Sequence, residues 1–172
     1  MSQAPEKVSS LRAADEELLA KWAEAWPALV DRVPDTDARE LDFVLGDETF
    51  IIKLLESAAP KTTAAILERL PIEGHIVHAA WSGDVIRQLE GFDLSYDEPE
   101  NATYFCAPGD VCFTSGFREL TMVYGDSYMS MPSGRVYESV FGVIVDRMRV
   151  FQKVAQSVRL LGAKPFRIDR RA

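Results

Sequence analysis

Cysteine and histidine are scarce in this chain, with two of each among 172 residues. Cys106 and Cys112 are too few for a disulfide framework and read as reduced, half-buried strand residues. His75 and His78 share one short segment, and no residues have ligand-motif spacing, so neither a metal site nor a cofactor is expected. No apolar run approaches the roughly 20 residues needed to cross a bilayer. The first ten residues hold no basic segment followed by an apolar one, so no secretory signal is expected and the cytoplasm is the default location. Positive charge is short as well. Nineteen Lys and Arg face 27 Asp and Glu, a net −8, which argues against nonspecific binding to nucleic acid or anionic lipid.

What is present suits one globular domain with an appended element. Apolar residues make up 47% of the chain and charged ones 27%, so the composition is that of a folded protein rather than a disordered one. Charge is uneven: the first forty residues are acid-rich, while residues from 147 onward carry eight cations, including Arg159, Arg167, Arg170 and Arg171. The expectation for that basic end is a solvated helix face and a frayed tail, with pairing to the acidic N-terminus, within or between subunits, as the alternative.

Residues 1–9 are expected to be disordered. Residues 11–33 read as an amphipathic helix, with Leu18, Trp22, Trp26, Leu29 and Val33 on one stripe and Pro34 after its end. Residues 1–38 thus stand apart from a second region, 39–172. Two tryptophans on one stripe need a partner surface, and a homo-oligomer through Trp22 and Trp26 is expected.

Strand signals then take over. Leu41, Phe43 and Leu45 alternate with polar neighbours, and Gly46-Asp47 supplies a hairpin turn. Residues 49–55 are apolar on both faces except at Lys53, as in a strand covered on both sides. A short helix follows, started by Pro60, buried through Thr63, Ile66, Leu67 and Leu70, and stopped by Pro71. Residues 72–81 read as a strand turning at Ser82-Gly83. A long acidic segment at 89–108 has one short strand, Tyr104-Phe105-Cys106. Strands are expected at 111–114 and 119–124, a loop at 125–134, and a strand at 139–145. Asp146 is expected to cap a helix with Met148, Phe151, Ala155, Val158 and Leu161 buried and Gly162 at its end. A last strand at 165–168 must sit where Pro165 needs no ladder bond. Short strands with two interposed helices imply a sheet that closes or is covered.

The order hairpin, Ala59-Pro60-Lys61-Thr62, helix, strand resembles the opening of cyclophilins. Ser82-Gly83-Asp84, Pro108-Gly109-Asp110 and Phe141-Gly142-Val143-Ile144 are similar to later cyclophilin turns. A closer likeness is to a bacterial family of cyclophilin-like proteins classed as a domain of unknown function. Its L-P-I, H-A-x-W-S-G, P-G-D and Y-G pieces stand here at 70–72, 78–83, 108–110 and 124–125. The resemblance implies a mainly β, cyclophilin-like closed β-barrel with two packed helices, to which the N-terminal amphipathic helix is added. It implies little about function. Prolyl isomerases of the cyclophilin family carry an F-H-R motif whose arginine polarises the substrate carbonyl. Here Ile76 follows His75 and Ala79 follows His78, so isomerase activity is not expected.

The candidate site residues are His78, Trp81, Ser82, Glu119, Tyr124 and Tyr128. A three-residue spacing puts His75 and His78 on opposite faces of a strand, and the family-like segment 78–83 favours His78 as the one facing a groove. Trp81 either walls a pocket or fills the barrel's end. Ser82 reads as a turn former, because no G-x-S-x-G elbow surrounds it. Glu119 and Tyr124 end one strand, with Arg118 ready to pair beside Glu119, and together with His78 they would suit a small polar ligand. Tyr128, Met129 and Met131 lie where a loop would close over such a groove. Two functions compete: binding, with or without transformation, of a small polar metabolite around His78 and Trp81, or a non-catalytic assembly module. Whether the chain is an enzyme is left open.

Overall fold

The computed structural model describes residues 16–21, 24 and 30–171. Trp22 and Trp26, on which the assembly expectation rests, lie outside the described residues. Helical backbone is present at 16–21 and 24, with Leu18 63% exposed.

Strand β1 (Glu40–Leu45) turns through Gly46, at a φ of 61°, into β2 (Glu48–Leu54). Then come α1 (Pro60–Arg69), β3 (Ile72–His78), β4 (Gly83–Gln88), β5 (Ala102–Thr103), β6 (Asp110–Thr114) and β7 (Glu119–Ser127). The chain continues through β8 (Ser130–Met131), β9 (Gly134–Arg135), β10 (Glu138–Ile144), α2 (Met148–Leu161) and β11 (Lys164–Arg170). The main sheet runs β2-β1-β11-β3-β4-β7-β6-β10-β5, and β10 also pairs with β2. Eight antiparallel strands therefore close into a barrel, with β5 added on β10. A bulge between Val140 and Gly142 shifts the β10–β6 register, and from Gly142 onward β10 pairs with β6 on one side and with β2 on the other. A Cβ at 142 would lie 2.8 Å from Ile52 Cγ2 and 3.2 Å from the Lys53 carbonyl, so the strands meet only because Gly142 has no side chain.

Strand alternation fills the inside. Leu41, Phe43, Leu45, Phe50, Ile52 and Leu54 are fully buried, and both helices send their apolar stripes into the same cluster. Phe151 of α2 meets Phe50 at 5.5 Å and Phe43 at 6.3 Å between ring centroids. Each such phenylalanine contributes roughly 1.5–3 kcal/mol through burial. Among the described residues, no helix is long and apolar enough to cross a membrane.

Several local expectations need correction. Residues 49–53 are not covered on both faces: Thr49 is exposed while Ile51 and Lys53 are half-buried, because only the inner side of β2 meets the core. Asp146 does not cap α2. Its Oδ1 accepts the Ile51 N–H at 2.6 Å instead, and Arg147, at a φ of 46°, starts the helix. Leu161 is 77% exposed, because the helix runs beyond its packed stripe. The short strand expected at 104–106 is Ala102–Thr103, paired with Glu138 and Ser139. The loop expected at 125–134 contains the end of β7 and the small β8–β9 hairpin. The strand expected to reach 81 stops at His78, and β4, not foreseen, pairs it with β7.

The C-terminal residues are not a frayed tail. They form β11 between β1 and β3, where Arg171 pairs with Asp42 at 2.8 Å and Arg167 with Glu73. Pro165 is tolerated in this central strand for a geometric reason. In an antiparallel strand the N–H and C=O of one residue face the same neighbour, and the Pro165 carbonyl accepts the Gly46 N–H at 3.0 Å. Its nitrogen therefore faces the β1–β2 turn, beyond the last pair of β1, Leu45 with Phe166.

Candidate functional site

The outer face of β4, β7, β6 and β10 is not left to water as in many antiparallel sheets. Val85, Cys112, Val123 and Val140 on that face pack with Val30, Ala79, Cys106 and Met129 from the segments lying over it. Arg32 ties the incoming N-terminal segment down, its Nε reaching both Asp110 oxygens at 2.9 and 3.0 Å. Between these covering segments a cavity of about 200 Å³ opens onto the sheet.

Register decides its floor. Cross-strand partners share a face, and the pairs Arg87 with Thr121 and Glu119 with Thr114 lie on the outer one. Arg87, Glu119, Thr121 and Glu138 line the cavity floor together with Val85. The rim is built by 79–82 on one side and by 129–131 with Val136 on the other, with Phe117 from the β6–β7 turn. Hydroxyls join the two sides: Ser82 Oγ donates to the Ser130 carbonyl at 3.2 Å, and Ser130 Oγ to the Trp81 carbonyl at 3.0 Å.

Glu138 is 3% exposed. Thr114 Oγ1 donates to its Oε2 at 2.5 Å and Thr121 Oγ1 to the same oxygen at 2.9 Å. Burial pushes its carboxyl up to about 7, against the pull of the two threonines and with help from the negative charge of Glu119. Arg87 Nη1 donates to Glu119 Oε2 at 2.5 Å, and burial raises the Glu119 carboxyl although Arg87 opposes it. Among the described residues, no three His, Cys, Asp or Glu side chains are placed to share a metal ion.

The six residues proposed from sequence are divided by this geometry. Trp81, 59% exposed, stands on the rim rather than in the core, and Ser82 and Glu119 line the same cavity. His78 borders it where β3 ends, but its Nε2 is 2.9 Å from the Tyr124 hydroxyl and its ring packs edge-on against that ring. Tyr124 follows Leu120 and Met122 on the inner face, so it and Glu119, five residues apart on β7, are on opposite sides of the sheet. Burial lowers the His78 pKa, and burial with the nearby Asp84 raises that of Tyr124. Tyr128 lies outside the lining, its hydroxyl accepting Arg135 Nε at 2.8 Å and its ring packed on Tyr104 and Phe105. Met129 and Met131 do line the cavity. Arg118 pairs with Asp93 at 2.7 Å and not beside Glu119.

Sequence reasoning missed Arg87, Thr114, Thr121 and Glu138. Arg87 lies in the strand that was not foreseen. Glu138 stands one residue before the strand expected at 139–145, and its outward alternation with Val140 was the available signal.

Solved structures that share the fold include the following two. A structure of McbB in complex with tryptophan matches with a TM-score of 0.57 at 14% identity, over 77% of this chain. This chain spans only 45% of that one. The solution structure of the hypothetical protein AF2241 from Archaeoglobus fulgidus matches with a TM-score of 0.56 at 19% identity, over 78% of this chain and 95% of its own. No curated protein matches the sequence. A family model, described as a protein of unknown function (DUF3830), matches residues 44–169, and the chain belongs to that family.

Proposed function

We propose that the protein binds a small molecule in the cavity on the outer face of β4, β7 and β10. The observation that carries this reading is Glu138, a buried carboxyl on the cavity floor with no basic partner among the described residues. Such a group costs the fold stability, and an apolar side chain of similar size would serve packing better. A strongly shifted titratable group in a walled cleft marks a ligand site. At about 200 Å³ the cavity is below the usual drug-sized range, so its ligand is a small metabolite. Met129 and Met131 supply adaptable apolar walls.

The test is a fragment screen by NMR with methyl-labelled methionine, using small aromatic acids, amines and neutral amides at millimolar concentration. Fragments of one class should shift the Met129 and Met131 methyls. A full library that moves neither methyl overturns the reading.

Prolyl isomerisation is the competing activity. The cavity does hold a guanidinium, but Arg87 Nη1 is committed to Glu119 rather than open to a substrate carbonyl. A protease-coupled proline-peptide assay should therefore show the uncatalysed rate, and inhibitor-sensitive turnover would reverse that conclusion. Self-association through the N-terminal helix is a separate proposal, supported by the 63% exposure of Leu18 on the apolar stripe. Replacing Trp22 and Trp26 together with alanine should lower the mass seen by light scattering. A wild type already monomeric at micromolar concentration would refute it.

A further inference from the structure

The chain buries two acids on β6 and β10, and they are treated differently. Asp110 receives Arg32 Nε on both oxygens and the Ala107 N–H at 2.8 Å. Glu138 receives two threonine hydroxyls, both on Oε2, and among the described residues Oε1 has no hydrogen-bond partner. A carboxylate offers about four acceptor sites, so half of its capacity is left for whatever enters the cavity.

The charged groups around it do not supply the missing cation. Arg87 of β4 and Glu119 of β7 neutralise each other through their 2.5 Å contact. His78, at the end of β3, has its pKa lowered by burial and brings no charge at neutral pH. Cys112 of β6 is held as a thiol by burial. Among the described residues, ionised Glu138 is therefore the one uncompensated charge of the floor, and it is negative. Above it the walls are apolar, through Met129, Met131 and Val136, and two exposed aromatic rings, Trp81 and Phe117, stand at the rim. Aromatic faces attract ammonium groups and repel carboxylates.

We propose that the cavity takes a small primary amine with an apolar or aromatic tail, its ammonium group donating to Glu138 Oε1. This rests on the reading that the cavity is a ligand site, and it names the chemical class of that ligand. The floor carboxylate replaces part of the water the ammonium loses, and the apolar walls bury the tail. A carboxylate ligand would meet Glu138 as a like charge. A neutral alcohol would gain the apolar contact without the ion pair.

Three probes of matched shape test this: phenethylamine, 2-phenylethanol and 3-phenylpropionate, titrated by calorimetry and followed at the Met129 and Met131 methyls in amine-free phosphate buffer at pH 8. Phenethylamine should bind at least about tenfold tighter than the alcohol, with the acid weakest. Its affinity should fall about tenfold per pH unit below 7, as Glu138 takes up its proton. Glu138→Gln should bring phenethylamine down to the affinity of the alcohol and remove the pH dependence. If that variant does not fold, the pH series on the wild type decides. Equal binding of amine and alcohol, tighter binding of the acid, or amine affinity flat from pH 6 to 8 overturns the amine assignment while leaving the cavity a ligand site. Failure of all three probes to move either methyl overturns the assignment and removes support from the site reading as well.

Discussion

The two sides of one sheet behave as different materials. On the inner side of β7 are Leu120, Met122 and Tyr124, while one residue over, on the outer side, are Glu119 and Thr121. Both sides are covered by other parts of the chain. The inner side is filled by rings, with Phe43 in contact with Phe50, Phe151 and Phe166. The outer side is buried around carboxylates, hydroxyls and a guanidinium, at a cost in desolvation that packing does not return. The contrast teaches that burial alone does not identify the core. What separates the regions is whether the buried groups are satisfied by the fold itself.

The contrast can be sharpened by removing groups on each side. Phe43→Ala on the inner side should cost about 3–5 kcal/mol, seen as a lower midpoint in urea denaturation. A loss under about 1 kcal/mol would mean that the barrel interior is loosely packed.

Glu138→Gln on the outer side should have the opposite sign. A carboxyl raised from 4.5 to about 7 binds its proton more tightly in the folded than in the unfolded chain. The wild type therefore loses stability as pH rises from 4.5 through 7, and the loss is complete above 7. The variant escapes it, so it should be more stable by about 3 kcal/mol at pH 8 and nearly unchanged near pH 4. Denaturation midpoints at the two pH values check this, and a variant destabilised at both would show Glu138 to be a structural acid.

Arg87→Met should leave Glu119 buried without its cation. The expected loss is about 1–2 kcal/mol at pH 8. Without Arg87 the Glu119 carboxyl rises further, so the penalty should shrink as pH falls and the acid protonates. A loss equal at pH 8 and pH 4 would assign Arg87 a packing role. The smallest effect belongs outside both regions. The His75–Glu90 pair, 2.6 Å long, is more than half exposed at the histidine, and His75→Ala should cost well under about 1 kcal/mol.

Much of the barrel was legible residue by residue. The alternation of Leu41, Phe43 and Leu45, the turn at Gly46-Asp47, and the helix between Pro60 and Pro71 all carry local signals, and each lies where those signals put it. Strand β4 was missed because Val85 and Ile86 are buried on opposite faces, which gives no alternation to read. The site was legible only in part. Trp81, Ser82 and Glu119 were named from the chain and line one cavity, which His78 borders, whereas Tyr124 lies on the inner face with its hydroxyl against the His78 ring.

The sequence by itself determined the class of the molecule: a mainly β chain whose short alternating strands must close, with two helices to plug what the strands leave open. Local periodicity, turn chemistry and proline placement are properties of neighbouring residues, so they can be read in order along the chain. Which polar residues meet is a property of register between strands far apart in sequence. Thr114, Thr121 and Glu138 converge on one oxygen only because β6, β7 and β10 pair as they do. A shift of one residue in β10 would put the carboxylate inside the barrel, and one in β6 or β7 would turn away the threonine it carries, so the site exists only once the tertiary structure has chosen its register.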